Sequence, residues 1–224
     1  MALTDKLTAI ANAIRAKDGT SDKMTLAEMP SKIAAIQAGG ATEPYTEETY
    51  DQSGNIISAT LHGHTSIRNS AFSGCSKLAL TSLPSSLTSI GDDAFYNCTK
   101  LALTSLPSGI TSIGNYAFYK CLKLALTSLP SGITSIGSSA FKECVGLALT
   151  SLPSGITSIG SGAFDKCSSL TSITFEGTPT TINSSAFSNC THLTTINVPW
   201  AEGAVANAPW GATNATINYN YTGA

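Results

Sequence analysis

The sequence predicts a mainly β solenoid of six 23-residue coils, with a small α-helical unit at its N-terminus and a β and Trp-bearing cap at its C-terminus. Three observations carry this reading. Phe72, Phe95, Phe118, Phe141, Phe164 and Phe187 fall one period apart, and all six cysteines, Cys75, Cys98, Cys121, Cys144, Cys167 and Cys190, share another position of the same unit. Leu78 and Ile67 head two further columns with the same period, ending at Leu193 and Ile182. Charged residues make up only 12% of the chain, against about 25% in typical globular domains, and Ser and Thr supply the polar surface instead. A fixed period in the twenties marks units that bury their apolar faces only by stacking on one another.

Taken in order, residues 1–37 read as a helical attachment or oligomerisation unit. Leu3, Leu7, Ile10 and Ile14 form one stripe behind a capping Thr4, and Thr25 precedes a second apolar stripe of Leu26, Met29, Ile33 and Ile36. A unit this short is below the usual size for independent folding, so the stripe Leu3, Leu7, Ile10, Ile14 is the expected contact of a homo-oligomer. Residues 38–49 read as a linker from their Gly, Pro and acidic content. From residue 50 a turn at Ser53-Gly54 implies a hairpin that covers the first coil of a solenoid extending to residue 199. Residues 200–224 carry Trp200 and Trp210 and an alternating stretch from Ala215 to Tyr221, which suits a cap.

Within one unit, LALTSLP reads as a first strand, the ITSI of GITSIG as a second, and AFxxC as a single helical turn that brings Phe and Cys inward. The segment CSSLTSITFEGTPTTINSSAFSNC, Cys167 to Cys190, resembles the BspA-type leucine-rich repeat, and the resemblance covers about 140 residues. It implies a leucine-rich-repeat solenoid, a fold that supports many different binding functions. The four middle repeats depart from the family pattern by placing Leu80, Leu103, Leu126 and Leu149 at the third strand position and Thr at the fourth. Either a bulge turns these leucines inward or they form an exposed stripe. Burial of a Leu is worth roughly 1.5–3 kcal/mol, which favours the bulge.

The copies differ from one another in one place. LALTSLPSGITSIG is identical from Leu101, Leu124 and Leu147, whereas the nine residues that follow keep Ala, Phe and Cys and change the rest. Of the twelve charged residues between Leu61 and Val198, eleven lie on this ridge, as do Tyr96, Tyr116 and Tyr119. Either the ridge is solvated surface free to vary or it recognises a ligand. The recognising group would be Tyr96, Asn97, Lys100, Tyr116, Tyr119, Lys120 and Lys123, which combine aromatic area with hydrogen-bond donors. A cell-wall glycan or surface polysaccharide is the expected class, since aromatic faces stack on sugar rings.

Other chemistries find no support. A net charge of −2 leaves no footprint for nucleic acid or an anionic membrane. No apolar run reaches the ~18 residues of a membrane span, and MALTDKLTAIANAIRAKDG is not an export signal. Equivalent cysteines in neighbouring coils stand about 4.8 Å apart with parallel Cβ vectors, too far for a disulfide, and no C-x-x-C pair marks a zinc site. His62, His64 and His192 sit at opposite ends of the array, and no nucleophile, phosphate-loop or dinucleotide motif is present. The expectation is a non-enzymatic protein with no cofactor and no metal.

The stretches LTDKLTAIANAIRAKDGT, AEMPSKIAAI and VPWAEGAVANAPWGATNATINYNY, taken with the solenoid, are similar to tail or baseplate accessory proteins of bacteriophages that infect gut bacteria. That resemblance implies a virion component whose N-terminus binds other tail or baseplate proteins and whose repeats face a glycan or protein of the host surface. The alternatives are a bacterial cell-surface adhesin of the same repeat family and a purely structural virion decoration protein.

Overall fold

The computed structural model describes residues 45–223. The helical unit expected over 1–37, including Leu3, Leu7, Ile10 and Ile14, lies outside the described residues. Strand β1 (Tyr45–Tyr50) pairs antiparallel with β2 (Ile56–His62) around a turn in which Asp51 and Gly54 close the chain. The hairpin therefore starts earlier than the sequence implies, and the linker expected over 38–49 gives up residues 45–49 to β1. Polar TEET carries no strand signal of its own; its order comes from the ladder to β2. The hairpin covers the first coil, where the Ala79 amide donates to Ile57 O at 3.0 Å.

Beyond the hairpin the chain winds as parallel coils. One sheet is built from β3 (Ser66–Ile67), β4 (Ser89–Ile90), β5 (Ser112–Ile113), β6 (Ser135–Ile136), β8 (Ser158–Ile159) and β10 (Thr181–Ile182), each pairing Ser with Ser or Thr and Ile with Ile in the next coil. A second sheet, formed only toward the C-terminus, contains β7 (Ser151–Leu152), β9 (Ser172–Phe175), β11 (Thr195–Asn197) and β12 (Thr216–Asn218). Every inward column is apolar: the Leu, Ile, Ala, Phe and Cys positions are buried from the second coil on, while in the first Ala71 is exposed and Cys75 half-buried. The Phe rings lie 5.1–5.5 Å apart and within 9° of parallel, an offset stack slightly wider than the ~4.8 Å rise between coils.

Leu80, Leu103, Leu126 and Leu149 point inward. In the middle coils Leu101, Leu103 and Leu106 are buried while Thr104 and Ser105 are both exposed, so two successive residues face outward just before the third leucine. In the later coil Leu170, Ile173 and Phe175 are buried and the outward pair is Thr171-Ser172. Both spellings begin and end on an inward residue and differ in where the alternation slips. The slip costs the middle coils their regular strand. The Ala102 amide to Leu80 O and its equivalents link them here at 3.0–3.1 Å, joined by the Thr150 amide to Thr127 O at 3.3 Å where β7 begins.

Two further expectations are corrected. The AFxxC segment is not a helical turn, and no α-helix occurs among the described residues. In the third coil, Gly114 to Ala117 and Phe118 to Cys121 are successive reverse turns whose third residues, Tyr116 and Lys120, have φ of 53° and 56°. This geometry aims the amides of Tyr116, Phe118 and Lys120 at Ser138 O, Ala140 O and Lys142 O of the next coil, at 2.8–2.9 Å. A helix would have turned those donors inward along its own axis. The second correction is the number of coils, which is seven among the described residues. Trp210 stands 23 residues after Phe187, is fully buried, and accepts from the Phe187 amide at 2.9 Å, while β12 extends the second sheet. The expected cap is thus a divergent coil in which Trp210, Trp200, Phe175 and Phe187 meet edge to face or tilted.

All six cysteines are free thiols. Five donate to a Phe carbonyl of the preceding coil, as Cys121 Sγ does to Phe95 O at 3.1 Å and Cys144 Sγ to Phe118 O at 2.9 Å. Burial pushes Cys98 and Cys190 up to about 12 from an ordinary 9.0 and holds Cys121, Cys144 and Cys167 well above it. A raised folded-state value means stability that is complete below pH 9 and is lost as the pH climbs toward 12, because only the unfolded chain releases these protons. Urea unfolding from pH 9 to 12 should therefore show falling stability. Cys121→Ala should reduce the slope by up to about 1.4 kcal/mol per pH unit. Equal slopes for the two proteins would contradict the buried-thiol ladder.

Candidate functional site on the turn ridge

The ridge is a set of columns, because residues 23 apart stand one above the other. One column reads Ser73, Tyr96, Tyr119, Lys142, Asp165, Ser188 and its neighbour reads Gly74, Asn97, Lys120, Glu143, Lys166, Asn189. Tyr96 and Tyr119 stack with centroids 4.7 Å apart and planes within 8°, the spacing that the coils impose. Tyr116 meets Tyr119 edge-on at 6.1 Å and is 42% exposed. Lys120 Nζ lies 5.4 Å from the Tyr119 centroid, within the range of a cation–π contact. The structure thus brings Tyr96, Tyr116, Tyr119 and Lys120 into one cluster.

The charges of the next coils pair along the columns. Glu143 lies between Lys120 at 3.8 Å and Lys166 at 3.1 Å, and Asp165 receives Lys142 at 2.9 Å and the Asn189 amide at 2.8 Å. The hydrogen bond to Asp165 raises the Lys142 ammonium above its ordinary range. Lys77, Lys100 and Lys123 form a third column, in which Lys77 pairs with Asp51 at 2.8 Å. Lys100 and Lys123 make no ion pair among the described residues and no cation–π contact with the tyrosines. Asn97 occupies a positive-φ turn position (φ 57°) and its amide donates to Tyr119 O at 2.7 Å. The three histidines are dispersed: His62 lies 3.5 Å from Glu47, His64 3.0 Å from Thr46, and His192 contacts Ser168 O at 2.7 Å.

Sequence reasoning missed a feature made by the copied residues. Between the ridge and the sheet that runs from β3 to β10 lies a groove of about 810 Å³, lined by Ser89, Ser112, Ser135 and Ser158, by Gly91, Gly114, Gly137 and Gly160, and by Asn69, Asp92 and Asn115. The glycines form its floor through close approach, since a Cβ on Gly114 would meet Asp92 N and Gly91 C at 2.6 Å. The invariance of the ITSIG stretch was the available signal.

The fold and the ridge together define a repeat-solenoid binding scaffold that displays a different side-chain set on each coil. Residues 45–149 and 89–203 match the BspA type leucine rich repeat region, in six copies, and the chain belongs to that family. Among solved structures, a leucine-rich repeat protein of T. pallidum is 28% identical with a TM-score of 0.53 over 69% of this chain and 82% of its own. A leucine-rich repeat protein from Bacteroides ovatus is 27% identical with a TM-score of 0.54 over 68% of this chain; the match spans 45% of that longer protein. No curated protein matches the chain.

The Tyr96–Tyr119 stack should be measurable as a coupling. A double-mutant cycle of Tyr96→Ala and Tyr119→Ala, followed by urea unfolding, should give an interaction energy of roughly 0.5–1.5 kcal/mol. Strict additivity would mean that the rings do not stack in solution.

Proposed function

We propose that the protein is a non-enzymatic recognition protein of a bacteriophage tail or baseplate, in which residues 1–37 attach to the particle and oligomerise while the repeats bind a glycan of the host surface. The observation that supports it best is the cluster of Tyr96, Tyr116, Tyr119 and Lys120 on two adjacent coils. Two parallel tyrosines and an edge-on third offer ring faces and edges, and Lys120 adds a cation beside them. Lys100 and Lys123, one coil apart and without an ion pair among the described residues, add donors for hydroxyl or acidic groups of a polysaccharide. Asn97 supplies an amide on the same ridge. Each contact is weak, so binding gains from several copies presented together.

The second reading is a bacterial cell-surface adhesin, and it shares the same recognition ridge. Membership of the BspA-type family and the likeness to leucine-rich repeat proteins of T. pallidum and Bacteroides ovatus support it. The two readings differ in residues 1–37. The virion reading requires them to hold a symmetric oligomer.

The test is binding to host cells by the full chain, by a variant with Tyr96, Tyr116 and Tyr119 all changed to Ala, by a control changed at Ser82 and Ser105, and by residues 39–224 alone. The triple variant should lose most binding while the serine control keeps it. The truncated chain should run as a monomer by light scattering and bind more weakly. Undiminished binding by the triple variant would remove the ridge from the account, and an unchanged oligomer after truncation would remove the attachment role of residues 1–37.

A further inference from the structure

We infer that the groove beside the ridge is a second binding site, for an extended, uncharged β-1,4-linked glycan chain lying along the solenoid axis with one sugar ring per coil. The inference goes beyond the ridge reading and uses none of its residues. It starts from a difference between neighbouring hydroxyls in the repeated T-S-I-G. The Thr hydroxyls are committed inside the protein: Thr88, Thr111, Thr134 and Thr157 each donate to the Thr carbonyl one coil back, at 3.0–3.4 Å. The Ser hydroxyls next to them, at positions 89, 112, 135 and 158, make no hydrogen bond among the described residues and are half-exposed along the groove.

The Ser column lies on the short strands β4, β5, β6 and β8, where Thr is favoured over the smaller Ser. The smaller side chain keeps the groove open, and the glycine column beside it carries no side chain at all because the backbone of the previous coil occupies that space. The result is a trough of free hydroxyls repeated every ~4.8 Å, close to the advance of one ring in an extended β-1,4-linked glycan. Each Ser can donate one hydrogen bond and accept others, which suits sugar hydroxyls.

Charge argues for a neutral ligand. Asp92 is the sole ionisable side chain lining the groove, and its Oδ1 already accepts the Asn115 amide at 2.6 Å. Among the described residues no cation lines the groove to draw an acidic polymer. Asn69 and Asn115 use their side-chain oxygens to hold the next coil's amide at 2.9 and 2.8 Å, leaving their NH₂ groups without a partner in the described chain and available as further donors. With no aromatic ring in the groove, affinity must accumulate over several coils.

The test uses calorimetry of the full chain with a length series of cello-oligosaccharides and chito-oligosaccharides, and malto-oligosaccharides as the curved-chain control. Affinity for at least one of the two β-1,4 series should rise with chain length until the chain spans the coils, then level off, while malto-oligosaccharides bind at least about tenfold more weakly. Changing Ser89, Ser112, Ser135 and Ser158 together to Ala should reduce affinity at least about tenfold, the loss expected from removing several hydrogen bonds. Ser112→Val with Ser135→Val, which favours the strand and fills the groove, should do the same with an unchanged melting temperature. The triple tyrosine variant should bind these sugars as the parent does. Binding of neither β-1,4 series, equal binding of the malto-oligosaccharides, or full binding by either serine variant would overturn the assignment. So would loss of the sugar in the tyrosine variant, since that would place it on the ridge.

Discussion

The structure depends on hydrogen bonding between successive coils in two opposite senses. On the strand side each coil donates backward, as Gly114 N does to Ile90 O at 2.9 Å and Ala102 N to Leu80 O at 3.0 Å. On the ridge each coil donates forward, as Phe118 N does to Ala140 O at 2.8 Å. A coil is thereby tied to both neighbours at two places on its circumference, and it can satisfy these bonds only by copying their conformation. Buried backbone groups left unpaired would be costly, so the copying is strict. Positive φ at Asp93, Tyr116 and Ser139, and at Asn97, Lys120 and Glu143, follows from this constraint. It overrides the ordinary cost of about 1–2 kcal/mol for a side chain in that region.

Copying turns the surface into columns at fixed spacing, and the spacing decides which chemistries a column can hold. Rings at this separation stack, so Tyr96 and Tyr119 reinforce each other. Alternating charges pair, as Lys120, Glu143 and Lys166 do. Like charges gain nothing from one another, and Lys100 above Lys123 makes no ion pair among the described residues. A hydroxyl column is neutral toward itself, and whether it is free depends on whether a carbonyl of the preceding coil lies within reach. The Thr column reaches one; the Ser column does not. The same lattice therefore yields an aromatic and cationic cluster on the ridge and a polar trough beside the glycine column.

Much of this was legible in the sequence because stacking makes each inward column a single residue type. Phe72 to Phe187 and Cys75 to Cys190 declare the period and the core without any alignment. The inward direction of Leu103 and its equivalents followed from the weight of Leu burial over a broken ladder. Other features depended on bonds between coils, which no single repeat displays. Left-handed turns at Tyr116 and Lys120 look like any polar segment until the next coil's carbonyls are in place. Residues 45–49 became a strand through β2, and Trp210 replaced Phe with a different local spelling, so neither announced itself. The groove escaped notice because it is built from glycines and serines whose invariance resembles mere scaffold.

The central claim is that the coil, with its 23-residue register, is the unit of both folding and recognition. It is tested by excising one whole coil, residues 101–123, and comparing the product with one lacking only residues 101–112. The account predicts that the first variant keeps its β circular dichroism and cooperative unfolding with a modest loss of stability, while losing cell binding with Tyr116, Tyr119 and Lys120. The second, out of register with both neighbours, should unfold. If the whole-coil excision unfolds as readily as the partial one, or if it folds and still binds cells as the parent does, the account is wrong.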